Sequence, residues 1–436
     1  MIMKFYSTNN QNLTVGLEEA VRMGLPNDKG LFMPAEIPQL SEGFFDKLSD
    51  LSLPEIGFEI LKPFVNEAIP DEVLSQICNE AFSFPAPIVE LKENLYALEL
   101  YHGPTLAFKD FGARFMARIL GYLNASNNGR NTILVATSGD TGSAVADGFY
   151  QVENIDVVIL YPRGKVSDLQ EKQMTTLGSN IHAMAIDGNF DDCQRLVKAA
   201  FMDRDLSERY GLTSANSINI ARLLPQMLYY FYAYGRVNSN DKPVVFSVPS
   251  GNYGNLTAGV MAKKMGLPIN HFIAAANAND IVPQYLTTGK FEPKPSIETI
   301  SNAMDVGNPS NFARLQTIFN HSLADFRSEV SGYSYSDGQT RESIAQAYQE
   351  FGYVADPHGA IGYRALREYL NENDIIGVFL ETAHPIKFNQ EVEAIIGHEI
   401  SVPETLAANL DAEIKSHPCS LEYSEFKELL QELLIN

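Results

Sequence analysis

Short apolar runs without alternation constrain this chain more than any other feature. They are Thr132-Ile-Leu-Val-Ala136, Val157-Val-Ile-Leu160, Ile181 to Ile186, Val244-Val-Phe-Ser-Val248, His271 to Ala276 and Ile375 to Leu380. Runs this short and this apolar suit strands buried on both faces, which is the condition of a parallel sheet flanked by helices. Segments with helical spacing separate them. Phe111 to Leu123 is one, with Phe111, Phe115, Ile119 and Tyr122 on a single stripe. Asp191 to Tyr210 and Ile220 to Tyr234 read as two more, and Ser343 to Phe351 and Gly359 to Leu370 as later ones. Strands alternating with helices imply an α/β fold with right-handed crossovers, and ligands then bind where strands end. A chain of 436 residues has room for two or three domains.

The first 90 or so residues lack this alternation and read as a mostly helical region. In it Asp71 is expected to cap a helix that turns Val73, Leu74, Ile77, Ala81 and Phe82 to one side. The tail up to Asn436 also reads as helical.

Two of the apolar runs end in glycine-containing loops followed by helices: Thr137-Ser-Gly-Asp-Thr-Gly142 and Ser250-Gly-Asn-Tyr-Gly-Asn255. Small residues free the backbone N–H groups there, and a helix start adds its dipole, so each loop is a candidate anion pocket. Neither carries the Gly-Lys-Ser/Thr of a nucleotide P-loop or the Gly-x-Gly-x-x-Gly of a dinucleotide site. A third candidate is Lys109, set between Phe108 and Phe111 after the expected strand Leu95 to Leu100. Apolar surroundings favour the neutral amine of a lysine, which is a nucleophile toward carbonyls. Two anions and one carbonyl on a single ligand set would satisfy all three elements.

The segment His102-Gly-Pro-Thr-Leu-Ala-Phe-Lys-Asp-Phe-Gly-Ala-Arg-Phe115 resembles the lysine segment of threonine synthases, pyridoxal-phosphate (PLP) enzymes of the tryptophan-synthase β-like fold type II. The resemblance continues in order through Tyr161-Pro-Arg-Gly164, Ser214-Ala-Asn-Ser-Ile-Asn219, Ser301-Asn-Ala-Met-Asp305 and Thr382-Ala-His-Pro385, as well as both glycine loops. It implies two mainly parallel-sheet α/β domains, a large PLP-binding one from 91–123 and 236–436 and a smaller one from 124–235. The helical region 1–90 precedes them.

By the same resemblance Lys109 carries PLP covalently and is the catalytic base. Gly251, Asn252, Tyr253, Gly254 and Asn255 hold the cofactor phosphate. Asp140 faces the ring hydroxyl, where the wider fold type has asparagine, and Thr382 faces the ring nitrogen. Ser138 and Thr141 lie at the substrate carboxylate, with Gly139 between them. Asn216, Ser217 and Arg222 hold the substrate phosphate, since a guanidinium with two polar groups suits that anion. His102 and His384 are read as hydrogen-bonding scaffold groups.

The implied reaction converts O-phospho-L-homoserine and water to L-threonine and phosphate. The alternative on the same fold is a serine/threonine dehydratase or β-replacement enzyme, which needs no second phosphate pocket.

A net charge of -22 argues against nucleic acid or an anionic membrane as partner, and it requires a locally positive site for an anionic amino-acid substrate. Three isolated cysteines fit a reducing compartment without disulfides. No metal-ligand spacing occurs, and no apolar stretch is long enough to span a bilayer. The expectation is a cytoplasmic monomer or homodimer without a catalytic metal.

Overall fold

The computed structural model describes residues 3–65, 68–127, 129–237, 242–370, 373–403, 406 and 412–434. The chain forms two compact units, each assembled from separated stretches. The first contains Met1–Phe32, Lys109–Arg222 and Val402–Asn436, and the second Met33–Phe108 and Leu223–Ser401.

The first unit is built on a five-stranded, all-parallel sheet. Its order is Ser416–Cys419, Ile181–Ile186, Ile155–Pro162, Asn131–Ala136, Leu212–Ser214. The expected runs near 132, 157 and 181 are these central strands, with side chains buried along almost their full length. Helix Lys109–Asn127 packs on helix Asp140–Phe149 within this unit, so the lysine helix belongs with the smaller sheet. That differs from the expected grouping of 91–123 with 236–436.

The C-terminal tail also falls in the first unit. Ser416–Cys419 pairs with Ile181–Ile186, and helix Tyr423–Leu434 lays Phe426, Leu430 and Leu434 on Leu196, Cys193 and Met184. The tail therefore holds a strand that helical spacing did not reveal. It is an edge strand, where Pro418 is tolerated because one side needs no ladder donor.

The 11 residues from Phe5 to Val15 likewise depart from the helical expectation. Phe5–Ser7 and Asn10–Val15 form an antiparallel hairpin before helix Leu17–Met23. Arg22 then ties this segment down, donating to Asn131 Oδ1 at 2.9 Å and Leu123 O at 2.8 Å.

The second unit carries a six-stranded sheet in the order Val330–Ser334, Ile269–Ala276, Val244–Pro249, Ile376–Glu381, Leu95–Glu99, Ile88–Lys92. All neighbours are parallel except the last pair. Leu95, Val245, Ile273, Tyr363 and Phe379 lie together in its core. Helices Leu53–Val65 and Asp71–Ala81 pack on each other in this unit, with Leu74, Ile77, Ala81 and Phe82 buried as their spacing suggests, while Val73 of the same expected face is only partly buried. Asp71 is the first helical residue and Pro70 the cap, its ψ of 150° lying outside the helical range.

Two expected helices are broken, each at an identifiable residue. Ile220 to Tyr234 becomes Ile220–Leu223, a 3₁₀ turn Leu224–Met227 and Leu228–Val237, since Pro225 has no N–H to continue the ladder. Asp191 to Tyr210 divides into Phe190–Met202 and Arg204–Tyr210 at Asp203, whose extended backbone starts the second helix.

Among the described residues no helix is long and apolar enough to cross a membrane. Cys78, Cys193 and Cys419 are all free and buried.

Candidate active site

In the first unit the candidate residues gather at the carboxyl ends of two adjacent parallel strands and at the start of one helix. Asn131–Ala136 ends in the loop 137–142, and its neighbour Leu212–Ser214 ends in 214–219. Asn216 Nδ2 donates to Ala136 O at 3.1 Å, which couples the two loop bases. Thr137 Oγ1 organises the first loop by accepting from the N–H groups of Gly139 and Gly142, both at 2.9 Å. Gly139 has φ of +139°, a conformation that requires glycine, and the loop then enters helix Asp140–Phe149. Ser138 and Thr141 are partly exposed at its rim, whereas Asp140 is 4 % exposed.

A residue that spacing did not single out sits over this loop. The fully buried Gln170 donates from Nε2 to Asp140 Oδ1 at 3.1 Å. A Cβ added at Gly139 would lie 2.4 Å from the Gln170 amide. The sequence signal for Gln170 was its place in the capping box Ser167-x-x-Gln170, which marks a helix start but not a contact 30 residues away.

Lys109 is the first residue of its helix and is partly exposed. Asp110, next to it, is fully buried. Three residues on, Gly112 lies against Arg222: an added Cβ would be 2.9 Å from Arg222 Nε and 2.9 Å from its carbonyl oxygen. Arg222 is only 3 % exposed and donates from Nη1 to Ala215 O. Burial lowers its pKa to about 10, while the charge of Asp110 acts to raise it. Arg222 is thus held inside the loop base, and Asn216 and Ser217 are the more open members of that trio.

The second unit brings its own set to the carboxyl ends of the adjacent parallel strands Val244–Pro249 and Ile376–Glu381. After the first strand, Gly251 approaches the Ser301–Asp305 segment so closely that a Cβ would fall 2.6 Å from Met304 Cα. Asn252 Oδ1 accepts from Ser310 N at 2.6 Å, and Asn255 O accepts from the Tyr230 hydroxyl at 2.8 Å. Tyr253 adopts φ of +59°, and its side chain is buried at 2 % exposure, so the residue offers the loop its backbone. Helix Gly254–Lys264 begins here, and the first N–H groups of a helix have no partner inside it.

Thr382 follows the second strand at 5 % exposure, and its carbonyl accepts from Phe108 N at 2.9 Å. Ala383 bridges Ala107 in the same way. The hydroxyl residue is therefore pinned to the chain directly ahead of Lys109. His102 Nε2 lies 2.7 Å from Glu99 Oε2, and His384 Nδ1 accepts from Ile386 N at 3.1 Å, both as scaffold contacts. Among the described residues no group of three or more His, Cys, Asp or Glu is placed to hold a metal ion.

Strand-end glycine loops and a helix-start lysine define a class, and comparison agrees: residues 82–381 match the family model of pyridoxal-phosphate dependent enzymes. The flanking residues are more specific, 4–82 matching the threonine synthase N terminus and 359–429 its C-terminal model. The threonine synthase of Serratia marcescens is 45% identical over 99% of this chain and 100% of its own. The crystal structure of threonine synthase from Escherichia coli superposes with a TM-score of 0.92 at 45% identity, covering 99% of this chain and 100% of that one. The PLP-bound threonine synthase from Brucella melitensis gives a TM-score of 0.92 at 36% identity, with both chains covered completely. The chain belongs to the threonine synthase family.

Proposed function

We propose that Lys109 carries PLP and that the loop Gly251, Asn252, Tyr253, Gly254, Asn255 holds the cofactor phosphate. The activity is that of a threonine synthase, from O-phospho-L-homoserine and water to L-threonine and phosphate. The residues suit the cofactor. The approach at Gly251 leaves no space for a side chain, and a helix N-terminus opens onto the same loop, as an anion requires. When bound, PLP supplies an electron sink for carbanions at the substrate's Cα and Cβ.

The remaining roles follow the chemistry of each side chain. Thr382 faces the ring nitrogen as a neutral hydroxyl, and Asp140, oriented by Gln170, faces the ring hydroxyl. Ser138 and Thr141 bind the α-carboxylate at the start of helix Asp140–Phe149. The amine of Lys109 takes a proton from Cα, releases it, and then takes one from Cβ so that phosphate can leave from Cγ. Protons returned to Cγ and Cα and the hydroxyl of water added at Cβ complete threonine, the water's other proton leaving with the phosphate. Asn216 and Ser217 meet the substrate phosphate, with Arg222 supplying positive charge behind them. We further propose an anionic amino acid as the small-molecule substrate, a cytoplasmic location and a monomer or homodimer, without nucleic-acid or membrane partners.

The observation carrying the phosphate pocket is the buried Arg222, hydrogen-bonded to the carbonyl of Ala215 just ahead of Asn216 and Ser217, in a chain of net charge -22. Arg222→Ala should cut phosphohomoserine turnover sharply while turnover of a vinylglycine analogue without phosphate falls far less. Losing one partner of a desolvated charge pair costs about 2–5 kcal/mol. Equal losses on both substrates would make Arg222 structural. Wild-type protein that deaminates serine or threonine but releases no phosphate would favour the dehydratase reading.

A further inference from the structure

Directly behind Thr382 the second unit buries two carboxyl groups that the reaction above does not use. Glu381, the last residue of its strand, and Asp356, just ahead of helix Pro357–Leu370, are both 0 % exposed. The packing around Glu381 is built for its side chain. A Cβ at Gly359 would lie 2.2 Å from the Glu381 carboxyl carbon, so only glycine leaves it room.

The two acids are unequally provided for. Asp356 Oδ1 accepts from His358 N at 2.7 Å and faces His358 Nδ1 at 2.5 Å. Its Oδ2 accepts from the N–H of Gly359 at 3.3 Å and of Ala383 at 3.4 Å. Glu381 receives one donor, Asp356 N to Oε2 at 3.2 Å, and its Oε1 is buried with no donor on it. An ionised carboxylate in that position would be costly, whereas a protonated one can use the adjoining Asp356 carboxylate as acceptor.

We propose that Glu381 and Asp356 share a single proton, held on Glu381, and that with His358 they form a positioning unit for the Thr382–Ala383 segment. Asp356 reaches Ala383 N directly, and Glu381 is covalently joined to Thr382. The electrostatics run in the same direction. Burial, then the charge of Asp356, pushes Glu381 well above the usual carboxylate range. Burial also acts to raise Asp356, but the His358 charge and hydrogen bonds outweigh it and hold Asp356 below. The other titratable groups facing the pair are Glu99, Tyr101, Tyr353 and His384. Both tyrosines are raised by burial and by the neighbouring acids and stay neutral, and burial lowers His384 to about 4. Burial of Glu99 is outweighed by hydrogen bonds from His102 and Tyr101, which hold it below its usual range. Neutral tyrosines leave Glu381 as the group that must shed its charge. A hydroxyl facing a pyridine nitrogen needs fixed geometry, and this unit fixes it from behind, an inference that rests on the proposed place of Thr382.

Infrared spectroscopy of the full-length protein at pH 8 tests the proton. The other acids raised by burial are Asp147 and Asp305, and Asp305, at about 6, is ionised there. Wild type should show the carbonyl stretch of a protonated carboxyl, and E381Q should lack it. Absence of the band from wild type overturns the proposal without any variant, and so does its persistence in E381Q.

The positioning role is read from PLP affinity and from the pH midpoint of the bound cofactor's visible absorbance. E381Q keeps a donor toward Asp356 and should retain both. D356N leaves the Glu381 proton without its acceptor, so it should weaken PLP binding roughly tenfold or more and shift the midpoint. An unchanged D356N spectrum overturns the positioning unit. T382A measured beside it separates the causes, because a shift in T382A alone keeps the Thr382 reading and rejects only the unit behind it.

Discussion

Asp305 shows how one side chain can leave a signature in the whole protein's stability. Burial raises its pKa to about 6, against hydrogen bonds from Thr299 and Asn277 that pull it down. A carboxyl raised in the folded state stabilises fully below its unfolded value of about 3.9, and that contribution is lost as pH rises through about 6. Between those values wild type should therefore lose stability relative to Asp305→Asn, by on the order of 3 kcal/mol at most. His384 runs the other way: burial, then the His102 charge, lowers it to about 4, so its contribution is lost as pH falls from about 6.5. Denaturant midpoints of both proteins from pH 4 to 7 check this, and parallel curves would show that Asp305 does not titrate there. Gly251 gives a second test at this scale. Gly251→Ala must displace the Met304 backbone, costing about 1–3 kcal/mol. PLP retention during dialysis should fall with it, and unchanged retention would place the cofactor phosphate elsewhere. Both glycine loops were legible because small residues after a buried strand have few other uses. Gln170, Asp356 and Glu381 were not, since nothing local records that a side chain will be met by a group from a distant segment.

At the scale of elements, legibility followed burial. Strands covered on both faces, such as Asn131–Ala136 and Val244–Pro249, announced themselves as apolar runs. Ser416–Cys419 has only one buried residue and carries His417 and Pro418, so its pattern resembles a loop. It is a strand because Ile181–Ile186 offers it an unpaired edge. Helix breaks were missed for a related reason: the apolar stripe of 220–234 runs through Pro225, and spacing alone does not register a missing donor. The tail makes a direct prediction. A chain ending at Lys415 should uncover the edge of Ile181–Ile186 and the apolar face around Leu196 and Met184. An uncovered edge beside an apolar patch invites association. Light scattering and dye binding should show the truncated protein aggregating under conditions where the full chain does not, and a monodisperse truncation would mean that the tail only decorates the sheet.

For the whole molecule, chemistry is as restricted as folding is permissive. Its net charge of -22 opposes non-specific association, and its three thiols are withdrawn from solvent. Burial pushes Cys78 and Cys193 up to about 12 and Cys419 to about 11, so none is a thiolate at neutral pH. Ellman's reagent should find no reactive thiol in the native protein and three after denaturation. A fast-reacting native thiol would mean that one of these cores opens readily. The native chain thus supplies its own silent background for site-directed labelling. A single cysteine placed at an exposed position, Ser49 or Ser75 for instance, would be the one thiol a maleimide fluorophore meets. Distances and motions could then be followed in the otherwise unaltered enzyme.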